Sequence, residues 1–215
     1  MPIARESQRP SSAPGILEIG KFVPRKNHFL FVDAIKRLVK QSPIHATIIG
    51  EASTDSQRDL LGTLTDTLRE KGLDRVVAVR SNIPHDEMSE VYDQHAVFVL
   101  PAIAEPAAIS PLEAMGRGLP VVVTEDCGTK WYVREGIDGF VCEPNSAAAL
   151  AEAMRKALEL SLQHAARERI RTSAATRFSG DAFLAAFEAM MKQHFGDSFL
   201  TQADDLSRGN VRRTM

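Results

Sequence analysis

The chain has two cysteines among 215 residues, and they form no CxxC pair. Cys127 and Cys142 sit in unrelated contexts, so a reduced, cytoplasmic setting is expected rather than a disulfide framework. Charge of one sign is missing as well: 26 Lys and Arg against 28 Asp and Glu leave a net charge of −2. Nothing global therefore invites nucleic acid or an anionic membrane surface. No apolar run approaches the length that spans a bilayer, and the N-terminus carries no apolar leader. The P-loop pattern GxxxxGK[ST] and the dinucleotide fingerprint GxGxxG are both absent. What remains is ordinary soluble composition, 44% apolar and 25% charged, at a length that can bury a large core as one domain.

Residues 1–15 are polar and rich in proline and serine, and read as a linker-like arm. Strands and helices then alternate. The apolar strands are "GILEIG", "IHATIIG", "RVVAVR", "AVFVLP", "LPVVV" and a short "GFV". Between them, "HFLFVDAIKRLVKQ" aligns Phe31, Ala34, Ile35, Leu38 and Val39 at helical spacing, and "DSQRDLLGTLTDTLREKG" aligns Leu61, Leu64 and Leu68. Strands apolar throughout, separated by amphipathic helices, predict a Rossmann-like, doubly wound α/β domain with a parallel sheet, over 16–195. Helices close the chain, the first capped by Asn145 and a late one aligning Phe183, Phe187, Met190 and Met191. Residues 196–215 show no stripe and read as a frayed tail. Cys127, Cys142 and His45 are expected in the core.

In an open parallel sheet, ligands sit beyond the carboxyl ends of the strands. Three polar loops follow strands immediately: "GKFVPRKN", "GEAS" and "PAIAEPAAISPLE". The first brings Lys21, Arg25 and Lys26, which suit an anion such as a diphosphate or stand simply solvated. At about 4 Å and an effective dielectric near 20, each such contact contributes up to roughly 4 kcal/mol before desolvation. His28 reads as one more anion contact or as a plain helix-start side chain. In the third loop, Ser110-Pro111-Leu112-Glu113 has the form of a capping box. Glu113 is thus either structural or a ligand contact. The helix N-terminus there would favour an anion, and small Ala107 and Ala108 would let it approach. Glu105 lies outside that cap, as a solvated carboxylate or a ligand contact.

The order G-K-x4-K, then G-x-x after the second strand, then E-x7-E ahead of "EAMGRGLPVVV" and "GTKWYVREGIDGFVCEPN", resembles the C-terminal half of glycosyltransferase family 4. That family holds retaining, nucleotide-sugar-dependent enzymes of the GT-B fold. The resemblance runs from about Ile16 to Phe195. It implies that Lys21 and Lys26 hold the donor diphosphate and stabilise the departing nucleotide, with Glu105 beside the transferred sugar. By the same resemblance Gly20, Gly50 and the backbone of Ala107, Ala108 and Ile109 approach the donor, and Glu113 accepts from ribose hydroxyls. No metal or cofactor is implied, and the sequence has no DxD; a UDP- or GDP-sugar would be the substrate. Departures are Lys21 for a common arginine, Pro106, Ala108, Ala52 and Ser81 for glycines, and Trp131 for a glutamate.

The resemblance covers only the donor-binding half. A separate acceptor-binding domain or polypeptide is the expected partner, and isolated transfer activity is expected to be weak or nil. Nucleic acid is not an expected partner, and no transmembrane segment is expected. The chain is placed in the cytoplasm, free or peripheral to the inner membrane face. Two other readings remain at this point: a non-catalytic GT-B-like interaction module, and half of a sugar-nucleotide epimerase.

Overall fold

Six apolar runs become the strands of one sheet in the computed structural model, which describes residues 13–196. They are β1 (Gly15–Ile19), β2 (His45–Gly50), β3 (Val77–Ser81), β4 (Val97–Leu100), β5 (Val121–Thr124) and β6 (Gly139–Cys142). All pair in parallel, in the order β3-β2-β1-β4-β5-β6. Central strands are covered on both faces, which is why β4 and β5 read as unbroken apolar runs and are buried at every residue. Ile16 of β1 registers with Ala46 of β2 on one side and Val97 of β4 on the other.

Helices flank this sheet, giving the expected Rossmann-like α/β architecture. The first is α1 (His28–Leu38), whose Phe31, Val32, Ala34, Ile35 and Leu38 are buried. Each large side chain so buried contributes about 1.5–3 kcal/mol. Next comes α2 (Asp55–Glu70), started by a capping box in which Thr54 accepts from the Gln57 amide. Such a cap contributes about 1 kcal/mol. Short α3 (Met88–Asp93) and α4 (Ser110–Gly116) precede β4 and β5, and α5 (Ala147–Ser161) packs against α1, β5 and β6. One apolar core joins α1, α5 and the sheet. Then follow α6 (Ala166–Arg177) and α7 (Gly180–Phe195).

The chain divides into two compact units between Ser173 and Ala174. The first holds the sheet. The second holds α7, whose start is capped by Ser179 accepting from the Ala182 amide, and whose Phe183 and Phe187 stack at 6.2 Å. Residues 1–12 of the linker-like arm and 197–215 of the tail lie outside the described residues.

Two helix starts differ from expectation. Ser146, not Asn145, caps α5, accepting from the Ala149 amide at 3.2 Å. Asn145 is left-handed (φ 58°), and its side-chain oxygen accepts from the Asn27 side-chain Nδ2 instead. The Ser110–Glu113 capping box does not form. Ile109 is already helical and caps α4 without a side-chain bond, so Ser110 lies inside the first turn and cannot serve as its cap.

Candidate functional site

Chain direction across the sheet reverses between β1 and β4. Strands two and three lie to one side of that pair, and strands five and six to the other. Such a switch point opens a crevice at the carboxyl ends of the two strands. The loops that meet there are the one leaving β1, with Lys21, Arg25 and Lys26, and the one leaving β4, with Glu105. A backbone bond from the Ile103 amide to the Arg25 carbonyl (2.8 Å) ties them together.

Lys26 and Glu105 touch across this crevice. Lys26 Nζ donates to Glu105 Oε2 at 2.7 Å, and both residues are buried. Arg25 donates to the same oxygen. Burial alone would push the Glu105 carboxyl up. The hydrogen bonds and charges of Lys26 and then Arg25 outweigh it and hold the group below the usual carboxylate range. Two cations on one carboxylate leave a surplus positive charge facing the crevice.

Backbone contacts fix Glu105. Its amide donates to the Asp126 carbonyl (3.2 Å), and its carbonyl accepts from the Gly128 amide (2.8 Å). Thr129 Oγ1 donates to the Ala108 carbonyl at 3.2 Å. The loop after β5 thus braces the loop after β4. The amides of Ala107, Ala108 and Ile109 donate to no acceptor among the described residues, and Ala107 and Ile109 are exposed.

Gly20 and Gly50 allow the close packing beneath. A Cβ on Gly20 would lie 2.9 Å from Cγ and Cδ of Lys26, so the lysine stem runs directly over that glycine. A Cβ on Gly50 would lie 2.3 Å from the Gly20 carbonyl oxygen and 2.8 Å from the Phe22 ring.

Other expected residues go elsewhere. Lys21 stays exposed and pairs with Glu51 at 2.8 Å, just past β2. Hydrogen bonds from Lys21 and Ser53 hold Glu51 below its usual range. Glu113 accepts from the Tyr92 hydroxyl at 2.8 Å through Oε2. Burial, then the hydrogen bond and charge of Glu113, push the Tyr92 phenol well up. His28 is no anion contact: it is buried and bonds Glu18 and the Lys21 carbonyl. Cys127 and Cys142 are buried free thiols, and burial first, then nearby Glu125 and Glu135, push Cys142 up to about 12.

Glu18, Glu51 and Tyr92 were not singled out as site residues by the sequence. A carboxylate inside the otherwise apolar "GILEIG" was a readable signal for Glu18. Tyr92 gave none, because its neighbour lies on a different helix. Beside Glu105 opens a cavity of about 470 Å³, lined among others by Ala104, Pro106, Glu125, Lys130 and Trp131. Trp131 is 81% exposed. Among the described residues no group of three His, Cys, Asp or Glu side chains could hold a metal, and no helix is long and apolar enough to cross a membrane.

Comparison with known proteins places this geometry. The sequence pattern of the family described as glycosyl transferases group 1 matches residues 2–177. A curated relative is the lipopolysaccharide core biosynthesis glycosyltransferase LpsE of Rhizobium meliloti. It is 27% identical over 179 residues, which is 83% of this chain and 49% of the relative. Among solved structures, Anabaena HepE in complex with UDP matches with a TM-score of 0.72 at 18% identity, over 84% of this chain and 49% of that one. The C-terminal domain of LpcC, a glycosyl transferase group 1 family protein from Francisella tularensis, matches with a TM-score of 0.65 at 23% identity, over 76% and 84%. The chain spans from about a third to a half of the length of the first curated relatives it matches. With the family pattern running through the sheet, both crevice loops and α5, this chain belongs to the glycosyl transferases of group 1.

Proposed function

We propose that this chain is the donor-binding half of a retaining, metal-independent glycosyltransferase. It passes a sugar from a nucleotide-sugar to an acceptor in glycan or polysaccharide assembly. The single observation carrying the reading is the Lys26–Glu105 contact across the β1/β4 switch point. It joins the residue expected at the diphosphate to the one expected at the sugar. Sugar transfer is the family's activity, and the likeness to a UDP-bound neighbour supports a nucleoside diphosphate as the ligand. Coverage of most of the LpcC C-terminal domain supports the donor half.

On this reading the diphosphate takes the surplus positive charge of Arg25 and Lys26. Lys21 joins them, because its exposed pair with Glu51 is screened by solvent and yields readily. When the bond from the sugar to the diphosphate breaks, its electron pair leaves on the diphosphate, and these cations stabilise that charge. The free amides of Ala107, Ala108 and Ile109 meet sugar and phosphate oxygens. Glu105, fixed at the mouth of the cavity that Trp131 borders, holds the sugar. Glu113 keeps Oε2 on Tyr92 and offers Oε1 to a ribose hydroxyl. A second domain or polypeptide supplies the acceptor and the opposite wall.

Calorimetric titration with UDP, GDP and ADP, and with their sugars, tests this. Saturable binding of one nucleotide that Lys26→Ala weakens is the expected result. Absence of binding at millimolar ligand overturns it and leaves an interaction module on the same fold.

A further inference from the structure

Glu18 stands in the middle of the central strand β1, registered with Ile48 on one side and Val99 on the other, and is fully buried. Its Oε2 faces Nδ1 of His28 at 2.8 Å, and its Oε1 has no hydrogen-bond partner. His28 is the first residue of α1 and is 1% exposed. A buried carboxylate with one oxygen unsatisfied is costly, and apolar residues of similar volume would serve the core at least as well. Its role is therefore sought in what the pair touches.

The other ring nitrogen, Nε2, meets the Lys21 carbonyl at 3.0 Å. A carbonyl can only accept, so Nε2 carries a proton. With Glu18 ionised, Nδ1 facing it carries one too, and the ring is then an imidazolium with both donors used. The same Lys21 carbonyl also accepts from the Val23 amide at 2.7 Å, closing a tight turn. Phe22, between them, is fully buried and packs tilted against the His28 ring, centroids 5.2 Å apart. His28 thus fastens the first turn of the loop by its carbonyl and by its aromatic side chain. The loop continues directly into the short 3-10 turn Pro24–Lys26, which carries both cations of the crevice.

We infer that the Glu18–His28 pair is a positioning device: by pinning the Lys21 carbonyl it sets the loop Gly20–Lys26 so that Lys26 reaches Glu105 and the donor diphosphate. The inference rests on the nucleotide-binding reading for its consequence, though not for its geometry. The charged groups that act on the ring are Glu18 from β1 and Lys26 from the 3-10 turn. Burial pulls the ring's affinity for its proton down. The charge and hydrogen bond of Glu18, with the Lys21 carbonyl, outweigh burial and Lys26 together and raise His28 above 6.5. A raised histidine stabilises the fold fully below about 6.5, and that contribution is lost as pH rises through the folded-state value. Above it the ring keeps one N–H and must release either Glu18 or Lys21. Kept at Nδ1 on Glu18, that proton leaves the Lys21 carbonyl unheld; the loop then loosens, and nucleotide affinity falls on the alkaline side.

The test is a pH titration of the full chain by NMR, following the His28 ring nitrogens and the amides of residues 20–26, with the affinity for whichever of UDP, GDP and ADP binds measured from below pH 6.5 upward, across the ring's own midpoint. In the wild type, ring and loop are expected to move with one midpoint, and nucleotide affinity to fall at least fivefold across it. Glu18→Gln is expected to lower the ring midpoint and to hold affinity at the weak level throughout. Loop amides that stay fixed while the ring titrates overturn the inference, and so does nucleotide affinity that is flat across the ring's midpoint. Should Glu18→Gln fail to fold, the wild-type titration alone decides. A loop that follows the ring in a chain that binds none of UDP, GDP and ADP upholds the positioning and overturns only the nucleotide reading.

Discussion

Gly20→Ala probes whether Lys26 is aimed by the backbone beneath it. The added Cβ would sit 2.9 Å from both Cγ and Cδ of Lys26, where ordinary contact begins at 3.4 Å. The stem must therefore retreat by about half an ångström at two carbons, and its tip by more, roughly 1 Å. That stretches the 2.7 Å bond from Nζ to Glu105 past useful length. The obstructing atoms belong to a flexible side chain, so the folding cost is small, about 1 kcal/mol. For a chain of this size that lowers Tm by about 2–4 °C. The expected cost falls on binding instead: UDP affinity drops about tenfold, or about 1.4 kcal/mol. Gly50→Ala is the contrasting control, since its Cβ would lie 2.3 Å from the Gly20 carbonyl oxygen, which no rotamer change relieves. It is expected to destabilise the fold by about 3 kcal/mol. Differential scanning calorimetry and UDP titration on both variants read the two effects separately. Gly20→Ala that folds and binds UDP as well as the wild type would refute the reasoning.

Three further outcomes follow from the same geometry. Lys26→Ala removes one of two cations on Glu105 while Arg25 remains, so the fold survives and UDP affinity falls about 10–100-fold, less at high salt; titration at two ionic strengths checks it. Tyr92→Phe frees Oε2 of Glu113 from its 2.8 Å bond and removes what orients the carboxylate. It is expected to weaken UDP severalfold and inorganic diphosphate not at all, as paired titrations would show. Trp131 is the chain's single tryptophan and borders the cavity beside Glu105. Its fluorescence is expected to change on adding a nucleotide-sugar and much less on adding the nucleotide alone; equal responses would argue against a sugar in that cavity.

The sheet was legible because strands buried on both faces read as near-continuous apolar runs, as "VFVL" and the "VVV" of β5 do. Helix α1 was legible because one stripe of Phe31, Ala34, Ile35 and Leu38 meets the core. The convergence of the loops after β1 and β4 follows from strand order, and parallel open sheets place ligands there. Local pattern could not tell Lys21 from Lys26. One is drawn to Glu51 in solvent and the other is buried on Glu105, and both partners are distant in sequence. Ser110 misled because Ile109 had already entered helical conformation, a backbone fact that residue type does not carry. His28 does start a helix, as one of its two readings had it, but its carboxylate partner ten residues earlier is not legible from local pattern.

A crystal structure of the chain soaked with UDP tests the central claim most directly. The account predicts diphosphate oxygens within about 3 Å of Lys26 Nζ and of the amides near Ile109. A nucleotide seated at the amino ends of the strands, away from Lys26, would contradict it.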